Sequence, residues 1–254
     1  MTTIPKTHPR FKSLFIREKL VNGFDAGLIA KEGLLAHGRG EAFDYLLGEK
    51  TGKAAQKALK AAAASLILAE DPVISVNGNV SALCPKEIIK LANLVQAKIE
   101  VNLFYADKKR KQNIAKVFKK FGAGQILGME PRSSRRLLGI DSARRMVDKN
   151  GIYSSDLILV PLEDGDRTMA LRKAGKKIIT FDLNPLSRTA QTAHISIIDN
   201  IVRGINVLIE LAEKYSDKNE AELKKIVGSF DNKKNLKANI EEIRSNLIRR
   251  LKIA

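Results

Sequence analysis

Short apolar runs alternate with longer amphipathic stretches along the middle of the chain. The apolar runs predict strands at 72–76, 98–104, 157–160, 178–181 and 195–198. The amphipathic stretches predict helices at 85–97, 108–121, 167–174 and 202–215. Continuous apolar runs are typical of strands that are covered on both faces. The pattern therefore predicts an α/β fold with a Rossmann-like open, mainly parallel sheet flanked by helices.

The two ends of the chain have a different pattern. Residues 10–70 predict helices, and the stretch 51–69 is rich in alanine, lysine and leucine. Near the other end, five apolar residues follow one another at spacings of 4, 3, 4 and 4, which predicts one amphipathic helix: Leu236, Ile240, Ile243, Leu247 and Leu251. We predict a single α/β domain over 1–254. It comprises a helical N-terminal segment (1–72), a parallel-sheet core (73–215) and a C-terminal helical extension (218–254), with a hinge at 216–219.

Polar side chains follow nearly every predicted strand. Open α/β sheets bind ligands at the carboxyl ends of their strands, where the strand order reverses. The residues that follow the predicted strands in this way are Asn77, Asn79, Asn102, Glu163, Asp164, Asp166, Asp182, Asn184, Asp199 and Asn200. The sequence therefore predicts a ligand site at this edge of the sheet. Asn77-Gly78-Asn79 taken alone is also a common turn signal.

The stretch 36–41 places His37 and Arg39 between glycines, before a helix predicted at 41–47. A helix N-terminus presents free N–H groups to anions, and an arginine there can bind phosphate or carboxylate with two hydrogen bonds. The alternative is a turn with a surface arginine. Neither the phosphate-binding Gly-x-x-x-x-Gly-Lys-Ser/Thr loop nor a dinucleotide Gly-x-Gly-x-x-Gly fingerprint after a strand occurs in the sequence.

Two further loops carry candidate chemistry. In 160–168, three acids and one arginine follow a strand. Such acids can bind Mg²⁺ or an ammonium group. The alternative is an Asp-Gly turn in which Asp166 caps the following helix. In 180–190, Asp182 and Asn184 can bind hydroxyls or a base edge. Ser187, Arg188 and Thr189 can bind phosphate oxygens, and the alternative is a polar loop that caps a helix.

The composition first suggests nucleic acid, because 45 basic and 28 acidic residues among 254 give a net charge of +17. However, 107–149 carries +9 whereas 150–217, with two of the candidate loops, carries −1. The chain has no Trp and only 5% aromatic residues, so neither basic segment offers a base-stacking surface. A basic nucleic-acid-binding module without catalytic activity is thus the weaker alternative.

The remaining composition points to a cytoplasmic protein that does not enter a membrane. No apolar run is long enough to span a bilayer, and the first residues lack the apolar stretch of a secretory signal. One cysteine excludes an intrachain disulfide framework.

These segments together resemble a known family. Seven segments are similar to those of the archaeal 4-phosphopantoate–β-alanine ligases, also called archaeal phosphopantothenate synthetases. The segments are HPRFKSLFIREKLVNGFDAGL, GLLAHGRGEAFDYLLGE, PVISVNGNVSALCP, KIEVNLFY, GIYSSDLILVPLEDGDRT, FDLNPLSRTA and IIDNIVR. The resemblance covers about four-fifths of the chain, to residue 203. Residues 131–147, with five arginines, are less typical and are expected to form a variable loop; residues beyond 216 carry little of the resemblance.

The resemblance implies an ATP-dependent ligase of coenzyme A biosynthesis. Such an enzyme joins 4-phosphopantoate to β-alanine, releases AMP and pyrophosphate through an acyl-adenylate, and forms a homodimer. The nucleotide contacts that the resemblance implies are Arg17, Arg39, Asp182, Leu183, Asn184, Arg188, Thr189, Asp199 and Asn200. We further assign Asn77, Asn79 and Asn102, with His37, to phosphopantoate. Glu163, Asp164 or Asp166 is assigned to Mg²⁺ or the β-alanine ammonium, and Arg167 to a phosphate. Catalytic roles are assigned to His37, Arg39 and Asp166.

Overall fold

The computed structural model describes residues 5–8, 10–105 and 107–252. The main sheet has six parallel strands in the order β3-β2-β1-β6-β7-β8. These strands are β1 (Pro72–Val76), β2 (Lys98–Val101), β3 (Ile126–Leu127), β6 (Leu157–Leu159), β7 (Lys177–Phe181) and β8 (Ile195–Ile197). The strand order reverses between β1 and β6, where Pro72 pairs with Leu157. The predicted Rossmann-like fold is confirmed.

The helices confirm the alternating pattern and both helical ends. Their bounds are α1 (Phe11–Asp25), α2 (Lys31–Leu47), α3 (Lys53–Leu68), α4 (Gly78–Leu83), α5 (Pro85–Leu94), α6 (Lys108–Lys120), α7 (Gly165–Lys173), α8 (Arg188–Thr192), α9 (Ile201–Tyr215), α10 (Glu220–Gly228) and α11 (Asn232–Leu251). The predicted hinge at 216–219 is the turn between α9 and α10. None of the helices in the described ranges is long and apolar enough to cross a membrane.

Both faces of the sheet are covered, which explains why its strands are mostly apolar. Ile74 and Leu159 lie in one core with the buried faces of α3, α5 and α9. Val73 and Ile158 point to the opposite face and pack with Leu171 of α7 in a second core. Successive side chains of β1 and β6 therefore stabilise different layers, and the sheet is fixed from both sides.

The segment between β3 and β6 includes residues 131–147, which the sequence predicts to form a variable loop; the prediction of a loop is wrong, and the variability stays a prediction. It contains an antiparallel pair, β4 (Ser134–Arg136) with β5 (Met146–Asp148). Leu137 and Ile140 of the connection are buried against the second core. These apolar anchors give the segment a fixed place on the sheet. The predicted strand at 98–104 is also shorter than expected, because pairing ends at Val101.

Candidate functional site

The structure places the polar residues predicted after the strands along the carboxyl edge of the sheet. Asn102 follows β2, Asn77 follows β1, Glu163 follows β6, Asp182 follows β7 and Asp199 follows β8. The predicted geometry of this edge is thus confirmed, and the reversal of strand order falls between Asn77 and Glu163. Two groups of contacts occupy the edge, which we describe in turn.

Asn77 joins the two central strands. Its side-chain oxygen accepts the N–H of Val80 at 3.1 Å and so caps α4; the predicted Asn-Gly turn is therefore wrong. Its side-chain nitrogen donates to the carbonyls of Pro161 and Leu162 at 3.1 and 3.2 Å. Leu162 has a φ of +56°, a conformation that a leucine rarely adopts. Asn77 thus holds the loop that leads into Glu163.

The first group of contacts is the switch-point cluster, formed by Ser75, Arg144, Glu163, Asp164 and Arg167. The guanidinium of Arg167 is 1% exposed, forms a close ion pair with Glu163, and donates to the hydroxyl of Ser75 at 3.3 Å. Arg144 forms a close ion pair with the other oxygen of Glu163 and binds Asp164 at 2.8 Å. Two arginines and two acids therefore neutralise one another where the strand order reverses.

Burial controls the electrostatics of this cluster. It lowers the pKa of Arg144 to about 10, and the neighbouring charge of Arg167 acts in the same direction. Burial also lowers the pKa of Arg167 to about 10. Both side chains stay positive at neutral pH. The Nε atoms of both arginines and Oδ1 of Asn102 are buried without a hydrogen-bond partner among the described residues.

The acids of this loop do not form a ready cation site. Glu163 and Asp164 are paired with arginines, and Asp166 pairs with Arg188 at 3.0 Å on the surface. Asp164, rather than Asp166, is the residue that precedes the first turn of α7. Within the described ranges, no group of three or more His, Cys, Asp or Glu side chains comes together. These acids are therefore committed to arginines, and their assignment to Mg²⁺ or the β-alanine ammonium stays a prediction.

The loop after β7 is organised around Asp182. Its carboxylate accepts the N–H of Asn184 at 2.9 Å and a close hydrogen bond from the hydroxyl of Ser187. Burial raises the pKa of Asp182, although these hydrogen bonds and the charge of Arg39 oppose the shift. Leu183 is buried beside Leu47 of α2. The loop is therefore held by its own hydrogen bonds and lies next to α2.

Residues 188 and 189 connect this loop to the switch-point cluster. Thr189 donates its hydroxyl to the carbonyl of Glu163 at 2.8 Å. A Cβ at Gly165 would lie 2.5 Å from Cβ of Arg188, so only glycine allows α7 and α8 to approach this closely. The predicted residues of both loops are thus brought together.

The second group of contacts is the β8 cluster, formed by Asp44, Thr51, Asp199, Asn200 and Arg203. Asp199 accepts from the hydroxyl of Thr51 at 2.7 Å and from Arg203 at 2.6 Å. Arg203 also binds Asp44 at 2.7 Å, and Asn200 donates to Asp44 at 3.2 Å. Burial raises the pKa of Asp199, opposed chiefly by the charge of Arg203. This network attaches α2 to the end of β8.

His37 and Arg39 lie inside α2, which runs without interruption through both neighbouring glycines. The expectation that they precede a helix at 41–47 is wrong, because packing of α2 against α11 and the loop after β7 outweighs the low helix propensity of glycine. Arg39 is exposed. Burial lowers the pKa of His37; Glu41 opposes this shift and Arg17 adds to it. His37 is therefore neutral at pH 7.

The two glycines beside Arg39 are costly in a helix, which yields a prediction for stability. A Cβ at Gly38 would meet nothing within 4 Å, so Gly38→Ala should raise the free energy of unfolding by about 1 kcal/mol. Gly33→Ala in the same helix is the matched control, because its Cβ would lie 2.5 Å from Oδ1 of Asn79. Chemical denaturation of both variants checks this. A destabilised Gly38→Ala variant would contradict it.

The other predicted residues have local partners. Arg17 binds Glu41 with two hydrogen bonds of 3.2 Å on the surface of α1 and α2. Asn79 donates to the carbonyl of Gly33 at 2.9 Å, and Asn102 donates to that of Met146 at 3.0 Å. These two amide nitrogens are thus committed to the backbone, and the substrate roles assigned to both residues stay predictions.

Sequence reasoning missed Arg144, Asp44, Thr51 and Arg203. Arg144 is one of five arginines in a segment without a recognisable pattern. Asp44 and Arg203 are far apart in sequence, and nothing in the sequence signals their pairing. A signal did exist for Arg203, because it lies four residues after Asp199 and the two therefore share one side of the N-terminal turn of α9.

Comparison with known proteins identifies the family. The model of the phosphopantothenate/pantothenate synthetase family matches residues 54–246. A 4-phosphopantoate–β-alanine ligase from Thermococcus kodakarensis is 52% identical over 98% of this chain and 95% of its own. The chain belongs to the phosphopantothenate/pantothenate synthetase family. It is accordingly an enzyme, and the alternative of a non-catalytic nucleic-acid-binding module is wrong.

Two more members of the synthetase family agree in length. The 4-phosphopantoate–β-alanine ligase of Thermococcus onnurineus is 50% identical over 97% of this chain and 94% of its own. The 4-phosphopantoate–β-alanine ligase of Methanosarcina mazei is 47% identical over 97% of this chain and 96% of its own. The similarity therefore continues past residue 216, and the expectation that the C-terminal extension carries little of it is wrong.

Proposed function

We propose that the chain is an ATP-dependent ligase that joins 4-phosphopantoate to β-alanine, and that it works in the cytoplasm. The observation that carries the proposal is the near-full-length identity of about half with archaeal proteins of that named activity. In the first step, a carboxylate oxygen of phosphopantoate bonds to the α-phosphorus of ATP and pyrophosphate leaves. In the second, the β-alanine nitrogen bonds to the acyl carbon, AMP leaves and the amine loses a proton.

The carboxyl edge supplies what these steps need. Both steps bring anions together, so positive groups must offset the repulsion and the charge of the transition state. We assign ATP to the side formed by α2 and the loops after β7 and β8, where Arg39 and Arg188 are exposed. We assign phosphopantoate to the switch-point cluster, where Arg144 and Arg167 are positive although Glu163 and Asp164 pair with them.

Proton transfer and orientation of the amine remain to be assigned. His37 is neutral at pH 7 and can accept a proton from the β-alanine ammonium. Positioning of the amine against the acyl carbon supplies further rate. Mg²⁺ binds proteins through one or two carboxylates and the phosphates of its substrate, so in this proposal it accompanies ATP and no step depends on a protein-held ion.

Pyrophosphate release tests the proposal. With ATP, phosphopantoate and β-alanine all present, purified protein should turn over repeatedly and release pyrophosphate and AMP in equal amounts. With β-alanine omitted, a single turnover of pyrophosphate should appear, because the acyl-adenylate then accumulates. Full activity with unphosphorylated pantoate and none with phosphopantoate would overturn the substrate, and release of ADP would overturn the adenylate.

We also propose a homodimer that uses the end of α11. The predicted apolar stripe divides in the structure: Leu236 is buried and Ile243 packs against the same core, whereas Ile240, Leu247 and Leu251 are exposed. Leucines four residues apart form one face of a helix, and a second copy would cover it.

Light scattering checks the dimer. The wild type should have twice the 28.0 kDa of one chain, and Leu247→Glu with Leu251→Glu should have 28.0 kDa. Ser245→Glu, an exposed residue of the same helix, is the control and should leave the mass unchanged. If the double variant keeps the wild-type mass, the interface lies elsewhere.

A further inference from the structure

A carboxylate that the proposed reaction does not use is buried in the middle of β2. Glu100 is 0% exposed. One of its oxygens accepts the N–H of Asp148 at 3.0 Å, and the other accepts the N–H of Ile152 at 2.7 Å. A buried carboxylate is costly unless its oxygens are satisfied, so residues 148–152 are held to β2 by strong hydrogen bonds.

The chain around Glu100 fits closely to it. A Cβ at Gly151 would lie 2.2 Å from the carboxylate, and one at Gly128 would lie 3.1 Å from Cγ of Glu100. Asp148 extends the contact, because its own carboxylate accepts from the hydroxyl of Ser133 at 2.6 Å. Residues at both ends of the segment between β3 and β6 thus pack against this one side chain.

Arg144 lies at the other end of the same segment. Asn102, two residues after Glu100, donates to the carbonyls of Met146 and Arg144 at 3.0 and 3.5 Å. Side chains two apart in an extended chain point to the same side. Glu100 and Asn102 together fix the backbone from which the guanidinium of Arg144 reaches Glu163 and Asp164.

We propose that Glu100 is a positioning residue that holds residues 144–152 against β2 and thereby sets where Arg144 lies at the carboxyl edge. The proposal rests on the proposed function insofar as Arg144 belongs to the ligase site. Two converging N–H groups require two acceptors. A glutamine offers one acceptor and one donor, so Glu100→Gln keeps the shape of the side chain but turns an N–H of its own toward a backbone N–H.

A double-mutant cycle tests the coupling. Glu100→Gln and Arg144→Ala should each lower kcat at least tenfold, since a displacement of about 1 Å can cost a hundredfold. The double variant should be no slower than Arg144→Ala, because Glu100 acts through Arg144. Losses that multiply would overturn the proposal. Glu130→Gln, an exposed acid of the same segment, is the matched control and should leave kcat unchanged.

Hydrogen exchange gives a readout that needs no substrate. In Glu100→Gln, the amides of Asp148 and Ile152 should exchange faster while those of β7 stay protected; unchanged exchange at 148 and 152 would overturn the proposal. If the wild type lacks ligase activity, the proposed function fails and this result can still be read. If Glu100→Gln does not fold, Ser133→Ala should show the same change with a smaller amplitude.

The pH profile of kcat gives a third readout. Burial raises the pKa of Glu100 to about 7, although the two N–H donors and the charge of Arg167 oppose the shift, and Asp148 adds to it. Lys111 also faces the carboxylate. Glu100 therefore loses an acceptor as the pH falls below about 7, and kcat of the wild type should fall with it. The pKa of His37 lies below its ordinary 6.5, so any fall in kcat that His37 causes comes at lower pH. A fall in kcat near pH 7 that persists in Glu100→Gln would overturn the proposal.

Discussion

Replacing Glu163 by leucine should lower the free energy of unfolding by about 3–5 kcal/mol. Among the described residues, Glu163 is the one carboxylate that forms an ion pair with the buried guanidinium of Arg167. The substitution leaves that charge without an acid in contact, whereas Arg144 keeps Asp164 as a partner. Urea denaturation followed by circular dichroism measures the change. A loss below about 1 kcal/mol would mean that water or a rearranged acid replaces Glu163.

The double variant Glu163→Leu with Arg167→Met separates stability from function. Replacing both members of a buried ion pair with apolar residues is often neutral for stability, so most of the lost free energy should return. Ligase turnover should not return, because Arg167 is assigned to the substrate. An active double variant would show that the cluster only supports the fold.

Arg39→Ala should lower kcat/KM for ATP by about tenfold to hundredfold, which corresponds to the 1.5–3 kcal/mol of a hydrogen bond to a charged group. Arg39 is exposed in the middle of α2, and alanine is the best helix former, so the fold should be unaffected. The charge of Arg39 acts on Asp182 in the loop after β7, which supports the proposal that Arg39 lies beside ATP.

Lys31→Ala is the control for Arg39, because Lys31 is an exposed cation at the start of the same helix. Its kcat/KM should equal that of the wild type. Arg39→Lys should recover part of the loss through charge alone, but a lysine cannot form two parallel hydrogen bonds to one phosphate. A wild-type rate in Arg39→Ala would remove this residue from the site.

The central sheet could be predicted from the sequence because strands that are buried on both faces consist mostly of apolar residues. Strand β6 is continuously apolar and β7 is mostly so, and polar loop residues begin where each strand ends. The carboxyl edge and most of its side chains follow from that pattern alone. Short surface strands have no such pattern. Strand β4 consists of Ser-Arg-Arg and pairs on the surface, so it has neither an apolar run nor an alternation of apolar and polar residues.

The errors in the site have a common physical cause, which is contact between residues distant in sequence. Gly38 and Gly40 favour a helix boundary locally, but α2 continues because Leu47 and Leu183 pack together. Arg144 is indistinguishable from its neighbours until the fold brings it to Glu163. The roles of Asn77 and Glu100 likewise depend on which backbone groups come within reach.

The pairing of β1 with β6 also affects how the enzyme folds. Pro72 and Leu157 are in register at the centre of the sheet, although β2, β3 and the hairpin lie between them in sequence. Closing such a long loop costs entropy before any contact forms, so sheets with distant partners fold slowly. During synthesis, β1, β2 and β3 are made before β6. The edge of β1 that pairs with β6 therefore has no partner until β6 has been made. The carboxyl edge, where we propose the ligase site, is therefore complete only once β6, β7 and β8 have been made and have paired.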